Sequence, residues 1–307
     1  WDLKKQNIVS YLLLPFTIFF KLNNFILSFA PKKNKNIKSI CIGNIYVGGT
    51  GKTPATIKLY HTFKQLNFKV CTGKKYYSEH TDEQIILKNK TKLICEKSRK
   101  KIIYEALKQK NETIIFDDGL QDRSLNYDFK IVCFDAEKWV GNGQLIPSGP
   151  LREKLSSLKK YDAIFLKNQN SNVDKIKEII KQYNSSIRIF QTNYYPKNIG
   201  HFDLSQKYLI FSGIGNPEGF KNTLIENNFN IIREINFPDH YDYKKEDIDE
   251  IKQEAKKFKA NIITTEKDFV KIAKIESKDI KFLEIDLKID GEIELIDLIN
   301  TRLNEKH

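Results

Sequence analysis

Gly48-Gly49-Thr50-Gly51-Lys52-Thr53 is the run whose residue types most directly imply chemistry. Glycines let backbone N–H groups approach phosphate oxygens, and a helix starting there adds partial positive charge. Lys52 has the reach for β- and γ-phosphates, and the Thr53 hydroxyl can ligate Mg²⁺. The strict phosphate-loop pattern wants a glycine five residues before Gly51; Tyr46 stands there, so the loop is a variant. A second element, Thr113-Ile-Ile-Phe-Asp117-Asp118-Gly119, ends an apolar run on two consecutive carboxylates. Acids at the end of a buried strand are where a phosphate-loop protein holds Mg²⁺ or its water shell, although an Asp-Gly turn also ends a strand. Consecutive residues point different ways, so Asp117 and Asp118 are expected to have different tasks.

These residues need a scaffold. Ser39–Gly43 reads as a short apolar strand leading into the glycine loop, and Thr53–Leu66 as the helix after it. Strand-like runs follow at Phe68–Thr72, Thr113–Phe116, Lys130–Phe134 and Asp162–Lys167, with helical stretches such as Lys97–Lys108 and Val173–Gln182 between them. That alternation predicts an α/β fold: a largely parallel sheet with helices on both faces. A second series runs through strand Tyr208–Ser212, helix Glu218–Glu226, strand Asn230–Ile235, helix Lys244–Phe258, strand Asn261–Thr265 and helix Glu292–Arg302. It predicts a second, smaller α/β unit, giving domains at 38–195 and 196–307 behind an N-terminal segment 1–37.

The 307 residues carry 52 Lys+Arg against 39 Asp+Glu, a net charge of +13, with 40% hydrophobic residues, 8 Pro and 14 Gly. This excludes collagen-like, mucin-like and wholly disordered classes and leaves nucleic acid, a membrane surface or a phosphorylated substrate as partners for the charge. Residues 1–38 hold seven Lys and one acid, nearly half of the excess. Within them, residues 8–30 are strongly apolar. On a helix, Ser10, Thr17, Lys21, Asn24 and Ser28 form one thin polar stripe, and the rest is Leu, Ile and Phe. A wide apolar face with basic flanks predicts a helix lying in a membrane interface, kinked or restarted at Pro15; a helix packed on its own domain is the plainer alternative. Basic residues interleaved with exposed aromatics are not found elsewhere, so nucleic acid is not expected. Cys41, Cys71, Cys95 and Cys133 are widely spaced and predict reduced core thiols. The chain opens on Trp1 and contains no Met, so its natural start is expected upstream.

Six segments in order resemble one family, the tetraacyldisaccharide 4′-kinases of lipid A synthesis. They are Ile42–Pro54, Asp117-Asp-Gly-Leu-Gln121, Gly141–Glu153, Ser212-Gly-Ile-Gly-Asn-Pro217, Phe237-Pro-Asp-His240 and Thr264-Thr-Glu-Lys-Asp268. The resemblance implies a P-loop NTPase-like α/β/α sandwich plus a smaller α/β/α domain. It implies ATP and Mg²⁺ as cofactors and an acylated disaccharide phospholipid as substrate. The work would be done at the cytoplasmic face of the inner membrane, with no obligate protein partner.

Roles then follow by position. Asp82 corresponds to the carboxylate that takes the 4′-hydroxyl proton, and Glu83 to a residue that helps bind Mg²⁺. His240, from the second domain, corresponds to the partner of Asp82, so the resemblance implies chemistry coupled to domain closure. The surroundings depart from the family. Thr72-Gly-Lys-Lys-Tyr-Tyr replaces Ser-Arg-Gly-Tyr-Gly, the loop before the pair is short, and Thr81 and Gln84 flank it. Asp82-Glu83 could equally open a solvated helix, and His80 lies close by. Asn44, Gln121 and Arg152 are candidate nucleotide or substrate contacts; Arg152 alternatively pairs with Glu153. Glu266 or Asp268 could cap a helix. A P-loop ATPase or regulatory nucleotide-binding protein without kinase activity is the second reading, supported by the shortened loop.

Overall fold

The computed structural model describes residues 7–17, 36–77, 81–122, 124–168, 173–273 and 275–305. Lys21, Asn24, Ser28 and His80, named above, lie outside them. By contacts the chain divides into two units. The first comprises residues 1–76, 91–193 and 288–307, and the second residues 77–90 and 194–287.

The first unit is built on β1 (Lys38–Gly43), β2 (Val70–Lys75), β3 (Leu93–Glu96), β4 (Thr113–Asp117), β5 (Phe129–Asp135), β6 (Ala163–Lys167) and β7 (Arg188–Pro196). The sheet order is β7-β6-β5-β1-β4-β2-β3, and every one of these pairings is parallel. A last strand, β12 (Ile285–Ile289), lies beside β7. Both faces are covered, which is why the strands read as unbroken apolar runs. On one face Cys41, Ile114 and Phe116 pack with Ile102, Ile103 and Ala106 of helix α4 (Arg99–Lys108). Farther along that same face Val132, Phe134, Ile164 and Leu166 pack with Ile176 and Ile180 of α5 (Asp174–Tyr183), and Ile40, Ile42, Ile115 and Ile131 are buried on the opposite face. All four cysteines are free thiols, and burial pushes Cys71 and Cys133 up to about 12.

The second unit has a parallel sheet of order β11-β10-β8-β9, from β8 (Lys207–Ser212), β9 (Asn230–Asn236), β10 (Asn261–Thr265) and β11 (Ile280–Leu283). Period-2 alternation sorts β8 cleanly. Leu209 and Phe211 pack with Ile248, Ile251 and Ala255 of α7 (Lys245–Phe258). Tyr208 and Ile210 pack with Phe220 and Leu224 of α6 (Pro217–Glu226). The expected two α/β units are therefore present.

Their boundaries differ from a single cut at 195/196. Helix α3 (Thr81–Lys90) belongs to the second unit, where Lys90 lies 2.8 Å from Glu266 and 3.0 Å from Glu284. Helix α9 (Glu292–Glu305) returns to the first unit. There Thr62 donates to Glu292, Lys58 pairs with the same carboxylate at 2.9 Å, and Lys38 donates to Asn304. Sequence order could not reveal these returns because only long-range pairing defines them. Strands β3, β7, β11 and β12 also escaped the pattern reading; their short or half-exposed runs lack a continuous apolar signal.

Near the N-terminus, α1 (Ile8–Leu13) is capped by Asn7, which accepts from the Ser10 N–H, and passes into a 3-10 turn at Leu14–Phe16 around Pro15. Ser10 and Thr17 are buried at 6% and 4% exposure, while Ile8 and Leu12 are 77% and 70% exposed. The described part of the stripe, Ser10 and Thr17, is turned from solvent: Asn142 donates to the Ser10 hydroxyl, and Ser148 donates to the Ser10 carbonyl at 2.5 Å. Among the described residues no helix is long and apolar enough to cross a membrane.

Candidate active site

In the first unit the glycine loop follows β1 and opens α2 (Lys52–Gln65). Gly48 and Gly51 adopt left-handed φ of 114° and 87°, which a side chain would strain. No side chain caps the helix start and no acid occupies its first turn, so its N–H groups stay available to an anion. Tyr46, in place of the first glycine, is buried against Leu145 and Leu151 and anchors the loop instead. Val47 and Ile45 exchange backbone hydrogen bonds with Pro150 and Arg152, so the Gly141–Glu153 segment braces the loop from outside.

Asn44 has a different task from the expected ligand contact. It is fully buried, and its amide donates to the Gly48 carbonyl at 3.1 Å and to the Thr50 hydroxyl at 2.9 Å. It shapes the cradle from beneath. Gln121 donates to the Asn44 carbonyl and to Glu153.

The two aspartates divide as their neighbouring positions require. Asp117, at the end of β4, points inward and accepts from Thr53 at 3.1 Å and from Thr56 at 3.3 Å. Lys74, from β2, pairs with it at 2.5 Å, both side chains being almost wholly buried. Asp118 turns outward at φ 54° and faces Lys52 at 3.9 Å and Arg152 at 3.4 Å. Arg152 therefore does not simply pair with Glu153, which instead accepts from Gln121 and the Tyr161 hydroxyl. Buried Arg99 donates to the Asp118 carbonyl and to Asp122, fixing the turn. Thr53 and Asp117, with Asp118 beside them, are hard oxygen donors of the kind Mg²⁺ prefers. Among the described residues no three His, Cys, Asp or Glu side chains form a metal cage, so an ion there would complete its shell with phosphate and water. Glu83 lies in the other unit, on the first turn of α3.

The second unit holds Asp82. It opens α3, as the helix alternative foresaw, but it is 2% exposed rather than solvated. One oxygen accepts the Glu83 N–H at 2.8 Å. The other lies 3.2 Å from His240 Nδ1 and 3.7 Å from both Lys267 and Lys271. The two atoms lie within ion-pair distance without the straight N–H···O geometry of a hydrogen bond. Burial alone would raise the Asp82 carboxyl; the His240 ring and the Lys267 charge outweigh it and hold the group well below the ordinary carboxylate range. Asp82 and His240 share one unit, so their contact is not a contact between domains, as the sequence had suggested.

Three motifs that looked separate position His240. Its N–H donates to the Gly213 carbonyl, while the Gly213 N–H donates to Asp268. A Cβ on Gly213 would crowd Tyr243, Asp268 and the Pro238 carbonyl at 3.0–3.2 Å. Asp268 also accepts from Thr265, the N-cap of α8 (Glu266–Ile272). Lys74, Lys267 and Lys271 were missed as site residues in a Lys-rich chain; the i, i+4 spacing of the last two, beside Thr264–Asp268, was the available signal.

A family model described as tetraacyldisaccharide-1-P 4'-kinase matches residues 9–304. The chain is 44% identical over 307 residues to the tetraacyldisaccharide 4'-kinase of Pelagibacter ubique (strain HTCC1062), covering 100% of this chain and 98% of that one. It is 35% identical over 321 residues to the protein of that name from Rickettsia conorii (strain ATCC VR-613 / Malish 7), covering 99% and 97%. A crystal structure of LpxK from Aquifex aeolicus, described as an apo form in complex with ATP, matches with a TM-score of 0.72 at 22% identity, over 96% of this chain and 100% of that one; it shows the same fold.

Proposed function

We propose that this chain, which belongs to the tetraacyldisaccharide-1-P 4'-kinase family, transfers the γ-phosphoryl group of ATP to the 4′-hydroxyl of a tetraacylated glucosamine disaccharide 1-phosphate. The observation that carries this reading is the 3.2 Å approach of His240 to a buried Asp82. Nucleotide binding alone leaves that pair without a task, whereas an alcohol acceptor needs a base.

The glycine loop and the start of α2 hold the phosphates, and Lys52 neutralises the γ-phosphoryl oxygens as charge builds. Thr53 and Asp117 would hold Mg²⁺, with Asp118 close by; the ion would supply charge neutralisation when bound. Asp82 accepts the proton of the 4′-hydroxyl, and His240 orients the carboxylate. The new P–O bond forms as the β–γ bridging bond breaks, and ADP leaves with no covalent enzyme intermediate. Arg152 and Gln121 lie on the phosphate side of this chemistry.

The inward polar stripe of α1, with Ile8, Val9, Tyr11, Leu12 and Phe16 exposed, supports docking in the interface of the inner membrane's cytoplasmic face, where an acylated substrate resides. Incubating the protein with ATP, Mg²⁺ and tetraacyldisaccharide 1-phosphate should yield the bisphosphorylated lipid. ATP binding or hydrolysis without that product would favour a nucleotide-binding protein that lacks kinase activity.

A further inference from the structure

His240 is faced by charged groups from two sides. Nδ1 lies 3.2 Å from Asp82 Oδ2, on α3. Nε2 lies 3.3 Å from Lys267 Nζ, on α8, and 3.9 Å from Asp239 Oδ1, its chain neighbour. Lys267 itself stands 3.2 Å from Asp239 and 3.7 Å from Asp82. Lys271 stands 3.7 Å from Asp82 and donates to the Tyr241 carbonyl.

An ammonium has N–H groups and no lone pair, so a ring nitrogen beside it can only accept. We infer that Lys267 fixes the tautomer of His240: it claims the Nε2 lone pair, leaving the single ring proton on Nδ1, the nitrogen 3.2 Å from Asp82. Among the described residues Asp239 opposes this, since it would favour a proton on Nε2. It is farther from the ring than Lys267, and its own near partner is Lys267. The result is a neutral imidazole that donates to Asp82, with the negative charge kept on the carboxylate that must accept a proton. An imidazolium in that place would weaken the carboxylate as a base, and the other tautomer would turn a lone pair against it. Lys267 is thus a positioning residue, acting through His240.

This inference rests on the kinase reading only for its consequence in turnover; the tautomer is readable without substrate. In protein labelled with ¹⁵N-histidine, with the His240 signal assigned by His240→Gln, the ring nitrogen shifts should report the Nδ1–H tautomer. Lys267→Met should shift the population toward Nε2–H; Lys267→Arg, also donor-only, should restore the wild-type form. In the kinase assay Lys267→Met should lower kcat by about tenfold or more, move the acid limb of the pH profile upward and leave KM for ATP unchanged. An Nε2–H ring in the wild type would overturn the inference. So would a folded Lys267→Met protein with unchanged ring shifts. An Nδ1–H ring that responds to Lys267 in a protein without lipid turnover would sink the kinase reading and leave this one standing.

Discussion

Two buried aspartates carry the charge on which the two units are organised, and they are held differently. Asp117 closes a central strand and is gripped by neighbours of the same sheet and its first helix: Lys74 on β2, Thr53 and Thr56 on α2. Asp82 opens a helix and is gripped by His240 and the α8 lysines, residues far along the chain. The first arrangement suits a group that must not change its charge. The second sets a buried carboxylate beside an imidazole and two ammonium groups, the setting the proposed proton acceptor would need.

Replacing the proton acceptor should separate the two most sharply. Asp82→Asn should reduce lipid phosphorylation by about a thousandfold while ATP binding persists. Near-normal turnover would remove Asp82 from the base role. Lys74→Met should act on the other aspartate, leaving it buried without its cation and costing about 3 kcal/mol of stability. Urea unfolding reads this, and Lys74→Arg should recover part of it.

Acid sharpens the contrast less strongly. The Asp82 carboxyl is held below its ordinary value of 3.8. A depressed native pKa gives stability that is complete above the unfolded value and lost as pH falls through the native one. The stability gap between wild type and Asp82→Asn should therefore narrow below about pH 4, read as urea midpoints across pH. The smallest effect is expected far from both carboxylates. Leu12→Glu should weaken co-sedimentation with anionic vesicles while activity toward detergent-dispersed substrate stays within about twofold. Unchanged sedimentation would count against the interfacial helix.

The first aspartate's surroundings were legible in the sequence because they are local to one motif type. A strand, a glycine loop and an acid-ended second strand announce themselves through periodicity and residue type. What stayed hidden depended on tertiary assembly. Lys74 reads as one more lysine until β2 and β4 are paired in register, and Asn44 reads as a ligand contact until its burial is known. Asp82 and Glu83 satisfied both of their competing readings, because a helix start can also be a buried active carboxylate. The resemblance to a kinase family named His240 as partner, but the unit to which α3 belongs could only come from its contacts with Glu266 and Glu284.

The discontinuity of the units has a consequence for synthesis. The chain passes between them four times, and α3 is made long before Glu266 and Glu284, with which its Lys90 pairs. Ten residues are too few for a helix to persist alone in water. At ribosomal rates, roughly ten to thirty-five seconds separate the emergence of Lys90 from that of Glu266. Throughout that interval the segment bearing Asp82 stays unfolded while the chain on either side of it can already pair into the first sheet. The second unit thus completes its fold only near the end of translation.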